Sequence, residues 1–209
     1  MFITLLIIIA LAVLYWFTLR RWFARWGTTR DELTRAMAGD GIIAEPTHSA
    51  THAVTINAPP EDIWPWLVQM GYRRGGLYSY DWLDRLFGIL DRSSADRVIP
   101  EFQHLAVGDK ILLGPRAELT VTTLEPNCAV ALRYNARGFE WVWQFGLYPL
   151  DSNRTRLVTR GTERFPSNVV TWLFMRIMEP AAFIMTRRML LGLKERAETL
   201  RTQALARAA

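Results

Sequence analysis

Between Lys110 and Phe165 one pattern recurs five times: apolar and polar side chains alternate, and residues that turn the chain then end the stretch. The stretches are Lys110–Leu113, Glu118–Leu124, Val130–Asn135, Phe139–Leu150 and Thr155–Phe165. Gly114-Pro115, Glu125-Pro126-Asn127, Arg137-Gly138 and Asp151-Ser152-Asn153 separate them. A period of two marks strands with one buried face, and connections this short join antiparallel neighbours. In the fourth stretch Phe139, Trp141, Trp143, Phe145 and Leu147 share one face, and Glu140, Val142, Gln144 and Tyr148 share the other. Pro166-Ser167-Asn168 then caps a helical pattern from Val169 to about Thr202, with a kink or break expected at Pro180. Its charges keep to a narrow stripe. The broad apolar face left over, including Val170, Leu173, Phe174, Ile177, Met178, Met185 and Leu190, suits a helix lying across a sheet.

Upstream, Thr51–Asn57 alternates as a half-buried strand and stops at Ala58-Pro59-Pro60. A helix follows, with acids in its first turn and Ile63, Trp64, Trp66, Leu67 and Met70 on it, and it ends at Gly71. A second helix is expected from about Ser79 to Gly88. The order is strand, two helices, five strands, long helix. This defines an α+β domain in which a curved antiparallel sheet grips its C-terminal helix. Only a cavity or very large side chains can fill the space between such a sheet and such a helix.

The chain begins differently. Phe2–Leu19 carries no charge, and as a helix at ~1.5 Å per residue it would span roughly 27 Å, one hydrocarbon core. Tyr15, Trp16, Trp22, Phe23 and Trp26 cluster at its end like an interfacial aromatic belt. Arg20, Arg21, Arg25 and Arg30 follow, and no acid precedes Asp31. A cleaved signal peptide needs a basic stretch before the apolar run, and there is none. The expectation is an uncleaved transmembrane helix, single-pass, with the C-terminal domain in the cytoplasm under the positive-inside rule. Residues 1–26 form the anchor and its basic-aromatic flank, 27–49 a connector with a short helix capped by Thr28 or Thr29, and 50–205 the folded domain.

Composition narrows the function classes. The net charge is +5, but its position beside the apolar run reads as juxtamembrane charge and argues against nucleic acid. One cysteine, Cys128, excludes an intramolecular disulfide, and with three histidines it makes a closed zinc site improbable. No nucleophile elbow, P-loop or dinucleotide-binding glycine pattern occurs, so no metal and no cofactor are expected. Nine Trp, ten Phe and six Tyr can build a large core or an apolar pocket.

Four stretches carry a family likeness: 55–67 (ThrIleAsnAlaProProGluAspIleTrpProTrpLeu), 76–84 (GlyLeuTyrSerTyrAspTrpLeuAsp), 95–103 with 105–111, and the TrpValTrpGlnPhe strand at 141–145. With these, residues 50–203 resemble the START-like, or SRPBCC, superfamily with the Bet v 1-like helix-grip fold, which includes polyketide cyclase-like and lipid-binding members. The resemblance implies a hydrophobic cavity for a lipid-like or polycyclic ligand. It implies no catalysis, because such folds share no catalytic motif. An N-terminal anchor is not part of the general family pattern.

The residues expected to line that cavity are Trp66, Tyr78, Tyr80, Trp82, Trp141, Trp143, Phe145, Phe174 and Met178. Tyr78, Tyr80 and Asp81 would form its polar end, although the same cluster also reads as a capped helix. Arg133, Glu140, Arg160 and Glu163 read as cross-strand pairs on the solvent face. Arg160 and Glu163 have opposite parity, so at most one points inward, where it would orient a ligand. The leading function is a membrane-anchored binding protein for a hydrophobic small molecule or lipid. One alternative is a cyclase- or dehydratase-like enzyme using Tyr80, Asp81, Glu101 or His104, two of which would then converge in the cavity. Another is a structural or interaction protein whose cavity is filled, leaving no pocket of ~300 Å³ or more.

Overall fold

A computed structural model of the chain describes residues 3, 4, 6, 7, 10, 15–136 and 138–208. The expected membrane span 2–19 lies partly outside these. Of its described residues, Ile3, Thr4, Leu6, Ile7 and Ala10 are helical, and Tyr15–Leu19 forms a π-helical turn. The elements that follow are α1 (Arg20–Phe23), α2 (Arg30–Thr34), β1 (His48–Ile56), α3 (Pro60–Val68), α4 (Asp81–Leu86), β2 (Lys110–Leu112), β3 (Glu118–Glu125), β4 (Ala129–Ala136), β5 (Phe139–Asp151), β6 (Arg154–Arg164) and α5 (Val169–Ala208). The strands form one six-stranded sheet in the order β1-β6-β5-β4-β3-β2, antiparallel throughout. Register shifts at Val121/Thr123 in β3 and Pro149/Asp151 in β5 mark bulges, which bend a sheet and increase its twist.

The inner face carries the core. Leu119, Val121, Val130, Leu132, Phe145, Leu147 and Leu157 from the sheet meet Ile63, Trp66 and Leu67 of α3 and Met189, Leu190, Leu193 and Ala197 of α5. Close approach of α5 depends on Gly192: a Cβ there would run into the carbonyl of Tyr78. This is the helix-grip architecture that the alternating stretches predict, with one correction. Only the part of α5 from Phe183 onward buries side chains fully against the domain, whereas Val169, Val170, Leu173, Phe174 and Ile177 stay exposed. The expected break at Pro180 is also absent, and α5 is helical through it. Proline removes the N–H that would have bonded the carbonyl of Arg176. The Tyr15 hydroxyl donates to that carbonyl at 3.2 Å instead.

The connector is the other departure from the sequence expectation. It packs on the outer face of the sheet, and Arg160 lies beneath it rather than in solvent. Thr29 and Glu32 form a reciprocal capping box that starts α2. The helix stops at Thr34, because the Arg35 carbonyl turns to accept from Arg160 at 3.1 Å. Arg160 also pairs with Asp40 at 2.6 Å and donates to Thr51 Oγ1 at 3.1 Å and to the Glu32 carbonyl at 2.9 Å. Arg156 pairs with Glu32 at 2.6 Å. Burial alone would raise the Glu32 carboxyl, but the hydrogen bonds from Arg156 and Thr29 hold it below the usual carboxylate range. Met37 completes the layer against Ala53, Val158 and Tyr148.

Between anchor and connector, the chain passes over the edge of β1. The carbonyls of Ala24 and Trp26 accept from Thr51 N (2.9 Å) and Ala53 N (3.2 Å), so the edge strand is covered. Gly27, at φ +75°, turns the chain there, and a Cβ at this position would collide with the Ala53 carbonyl.

Arg160→Ala leaves the Glu32 and Arg35 carbonyls without their donor and the Asp40 carboxylate without its partner, which should cost about 1–3 kcal/mol. Thermal unfolding of the full chain in mild detergent should show the loss, together with new proteolysis between residues 30 and 44. Arg164→Ala, on the same strand but half-exposed, should change stability by less than about 1 kcal/mol.

Candidate functional site

Parity along β1 decides which of its residues face the helix. Val54 packs against the core and Ile56 lies in it, so Ala50, His52 and His48 lie on the same face. On β6 the same rule turns Thr159, Gly161 and Glu163 inward, and on β5 it turns Trp141 and Trp143 inward. These side chains floor a cavity of about 140 Å³. Met175, Met178, Ala182, Phe183 and Thr186 of α5 roof it, and Arg20, Phe23 and Ala24 close its side. The lining is mostly apolar. Trp141 and Trp143 stack at 5.3 Å between centroids, and Trp143 meets Phe145 at 4.9 Å, so the aromatic row of β5 descends from the cavity into the core. Phe23 stacks on Phe183 at 4.7 Å, and Trp22 meets Phe183 edge-on at 5.1 Å.

One rim is polar. His48 lies between two carboxylates, with Nδ1 3.5 Å from Glu163 and Nε2 3.5 Å from Glu179. Glu179 also receives Arg20 Nε at 2.9 Å and Arg176, and the Tyr15 hydroxyl oxygen lies 3.3 Å from it. His52 donates from Nε2 to the Phe23 carbonyl at 2.7 Å, which fixes the proton on that nitrogen. Burial holds the His52 imidazolium below the usual histidine range, so the ring is neutral at pH 7. The arrangement therefore offers an apolar slot bordered by hydrogen-bonding groups and by a charge cluster whose carboxylates are paired within it.

Of the expected lining residues, Trp141, Trp143 and Met178 border this cavity. Phe145 is in the core just below it. Trp66 and Tyr78 are core residues that pair edge-on at 6.0 Å, and the Tyr78 hydroxyl donates to the Trp66 carbonyl at 3.2 Å. Tyr80, Trp82 and Phe174 are exposed. Their positions explain this: Tyr80 and Trp82 lie at the start of α4, whose buried side chain is Asp84, and Phe174 lies on the outward side of α5. Asp81 accepts from Ser94 Oγ at 2.8 Å and Ser94 N at 3.1 Å, so it ties α4 to the following loop. Glu101 and His104 are exposed on and just after a short 3₁₀ turn. None of Tyr80, Asp81, Glu101 and His104 lines the cavity.

The residues that sequence reasoning passed over are His48, His52, Glu179 and Arg20. His52 was legible by parity, because it shares the alternation of Val54 and Ile56, whereas His48 precedes the expected strand. Glu163 proves to be the inward member of the Arg160/Glu163 pair. Glu179 and Arg20 come from opposite ends of the chain, and no local pattern joins them.

No protein-family model and no curated protein sequence matches the chain. Similar solved structures include protein MLL2253 from Mesorhizobium loti, at 18% identity over 75% of this chain and 98% of that one, with a TM-score of 0.41. The Zhui aromatase/cyclase from Streptomyces sp. R1128 is 14% identical over 72% and 93%, TM-score 0.41. A norcoclaurine synthase point mutant from Thalictrum flavum is 13% identical over 73% and 98%, TM-score 0.41. The likeness is one of fold, and nothing about ligand or reaction transfers at this distance. The sheet order and the terminal helix define a helix-grip architecture.

Asp84 provides a pH test of the α4 region. It is fully buried and takes one hydrogen bond, from Ser79 Oγ at 2.9 Å, while its other oxygen has no partner among the described residues. Burial pushes its carboxyl up to about 6. A raised folded pKa contributes stability below about pH 4 that is lost as pH rises through about 6. Asp84→Asn should therefore be the more stable protein at pH 7.5, by of order 2 kcal/mol. The two proteins should unfold alike at pH 3.5. Melting curves at the two pH values check this, and an equal difference at both would contradict it.

Proposed function

We propose that this protein is a membrane-tethered binding protein that takes the apolar end of a hydrophobic small molecule or lipid into the cavity between sheet and α5. One observation carries the reading. The residues that follow the apolar N-terminal run directly, Arg20, Phe23 and Ala24, form a wall of the cavity. A tether that served only to localise the domain would have no reason to complete its pocket. The N-terminal run supplies the anchor, and its basic flank places the domain on the cytoplasmic side.

The size of the cavity sets what enters. An apolar cavity of about 150 Å³ accepts a benzene ring, and this one measures about 140 Å³. It takes one ring or a short stretch of acyl chain, with the rest of the molecule extending from the opening. Ala182 is exposed at the α5 side of that opening, and Met175 and Met178 beside it are half-buried. A ligand that leaves most of its apolar length outside the protein needs another apolar phase there, and a nearby bilayer provides one. The small volume is also what the filled-cavity reading looks for, and the following test separates the two.

The full chain is reconstituted in lipid nanodiscs and titrated with a fluorescent polyene fatty acid. Wild type should bind saturably. Ala50→Phe, which pushes a ring into the cavity from β1, should weaken binding at least tenfold without changing the melting temperature by more than a few degrees. Wild type that never binds, or a variant that binds as well as wild type, would overturn the reading in favour of a packed interior.

A further inference from the structure

α5 offers three different surfaces along its first half. Met175, Met178 and Ala182 face the cavity. Trp172, Arg176 and Glu179 meet the N-terminal segment: Trp16 packs on Trp172 at 5.7 Å, and Tyr15 and Arg20 reach Glu179. The third surface is Val169, Val170, Leu173, Phe174 and Ile177. At 3.6 residues per turn these five fall within about 140° of arc, on the side away from the cavity. They are unusually bare, with Val169 78%, Val170 79% and Ile177 66% exposed. A contiguous apolar stripe of this kind marks a surface that something covers.

We infer that this stripe is seated in the lipid bilayer beside the N-terminal apolar segment. The inference rests on the tether of the proposed function but not on its ligand. Three observations favour lipid over a protein partner. First, Phe165 to Thr186 contains two charged residues, Arg176 and Glu179, and these pair with each other, with Arg20 joining them. The outward stripe is thus free of charge, as hydrocarbon requires. Second, the stripe continues the apolar N-terminal run. The two helices run in the same direction over their shared length, since Trp16, Arg20 and Phe23 meet Trp172, Glu179 and Phe183 in turn. Third, the rim has the composition of a headgroup layer. Trp22, Arg21 and Arg25 are exposed just beyond the apolar run, and among the described residues neither arginine has an ion-pair partner. By length and composition alone, Val169–Ala206 passes as a membrane-crossing helix, with a mean hydropathy of 1.3 and 6% of its apolar window buried. The burial of Met189, Leu190, Leu193 and Ala197 in the domain restricts lipid contact to the first half.

The test reads depth rather than binding, since the N-terminal segment would hold the chain on vesicles in any case. In a Cys128→Ser background, single cysteines are placed at Phe174 (F174C), at Ile177 (I177C) and, as a control at an exposed position of the C-terminal half, at Thr199 (T199C). Each carries an environment-sensitive fluorophore, and the full chain is inserted in phosphatidylcholine–phosphatidylglycerol vesicles. Lipids spin-labelled in the acyl chain should quench positions 174 and 177 at least fivefold more than position 199, and aqueous iodide should show the reverse order. Lipid quenching at 174 and 177 no greater than at 199 would overturn the proposal. Shielding of 174 from both quenchers would also overturn it, by showing a second copy or another protein on the stripe. Fatty-acid titration of the same samples separates the two readings. Normal loading of the cavity with a wet stripe removes only the bilayer seat, and a lipid-quenched stripe with an empty cavity removes only the ligand.

Discussion

Arg156 and Arg160, on the outer face of β6, set the path of everything that precedes the sheet. A guanidinium buried to 7% exposure, as Arg160 is, must have each of its donors met. The chain meets them with the Asp40 carboxylate, the carbonyls of α2 and the Thr51 hydroxyl. Once residues 29–40 are fixed on that face, the chain can reach the inner face only by crossing the free edge of β1. The carbonyls of Ala24 and Trp26 make the crossing and Gly27 allows its turn. Arg20 and Phe23 are thereby delivered to the cavity. Charge pairing on one side of the sheet thus assembles the wall of a pocket on the other.

α5 is two helices in function although one in backbone. Its C-terminal half carries Gly192, Leu193 and Ala197, small or closely packed residues that let it lie against the Tyr78 loop and the sheet. The other half carries the pocket roof and the exposed stripe. Pro180 falls at the junction, where a helix is weakest. The hydroxyl of Tyr15 restores the lost hydrogen bond, and Glu179, one residue earlier, binds Arg20. The N-terminal segment therefore braces the helix at the point where its own sequence would let it bend.

The sheet, its meander from β2 to β6 and the terminal helix were legible because each is encoded locally, by a period of two, by turn residues and by an apolar helix face, whereas the pairing of β1 with β6 is not local. The row Trp141, Trp143, Phe145 was placed on the inner face for the same reason. The polar rim was less legible. His48 fell just outside the expected strand, and its parity with Val54 becomes visible only once β1 is seen to start at His48. Glu179 and Arg20 meet across 159 residues of chain, which no window can anticipate. The aromatic cluster at Tyr78–Trp82 misled for a chemical reason. Tyrosine and tryptophan border ligand pockets and also plug the ends of cores, and here a left-handed Tyr78 (φ +58°) turns its ring into the core.

The rim cluster bears on what the cavity can hold. Arg20, Arg176, Glu163, Glu179 and His48 are partly buried, and a charge in that position is tolerable only if opposite charge and donors surround it. In that cluster Arg20 and Arg176 stand against Glu163 and Glu179. On the binding role proposed above, this rim suits an uncharged hydrogen-bonding end, or a charge held outside among Arg21 and Arg25. Selectivity then comes from the apolar slot, where one misplaced methylene changes the free energy by about 1 kcal/mol. On that reading a narrow slot bordered by paired charges discriminates by shape.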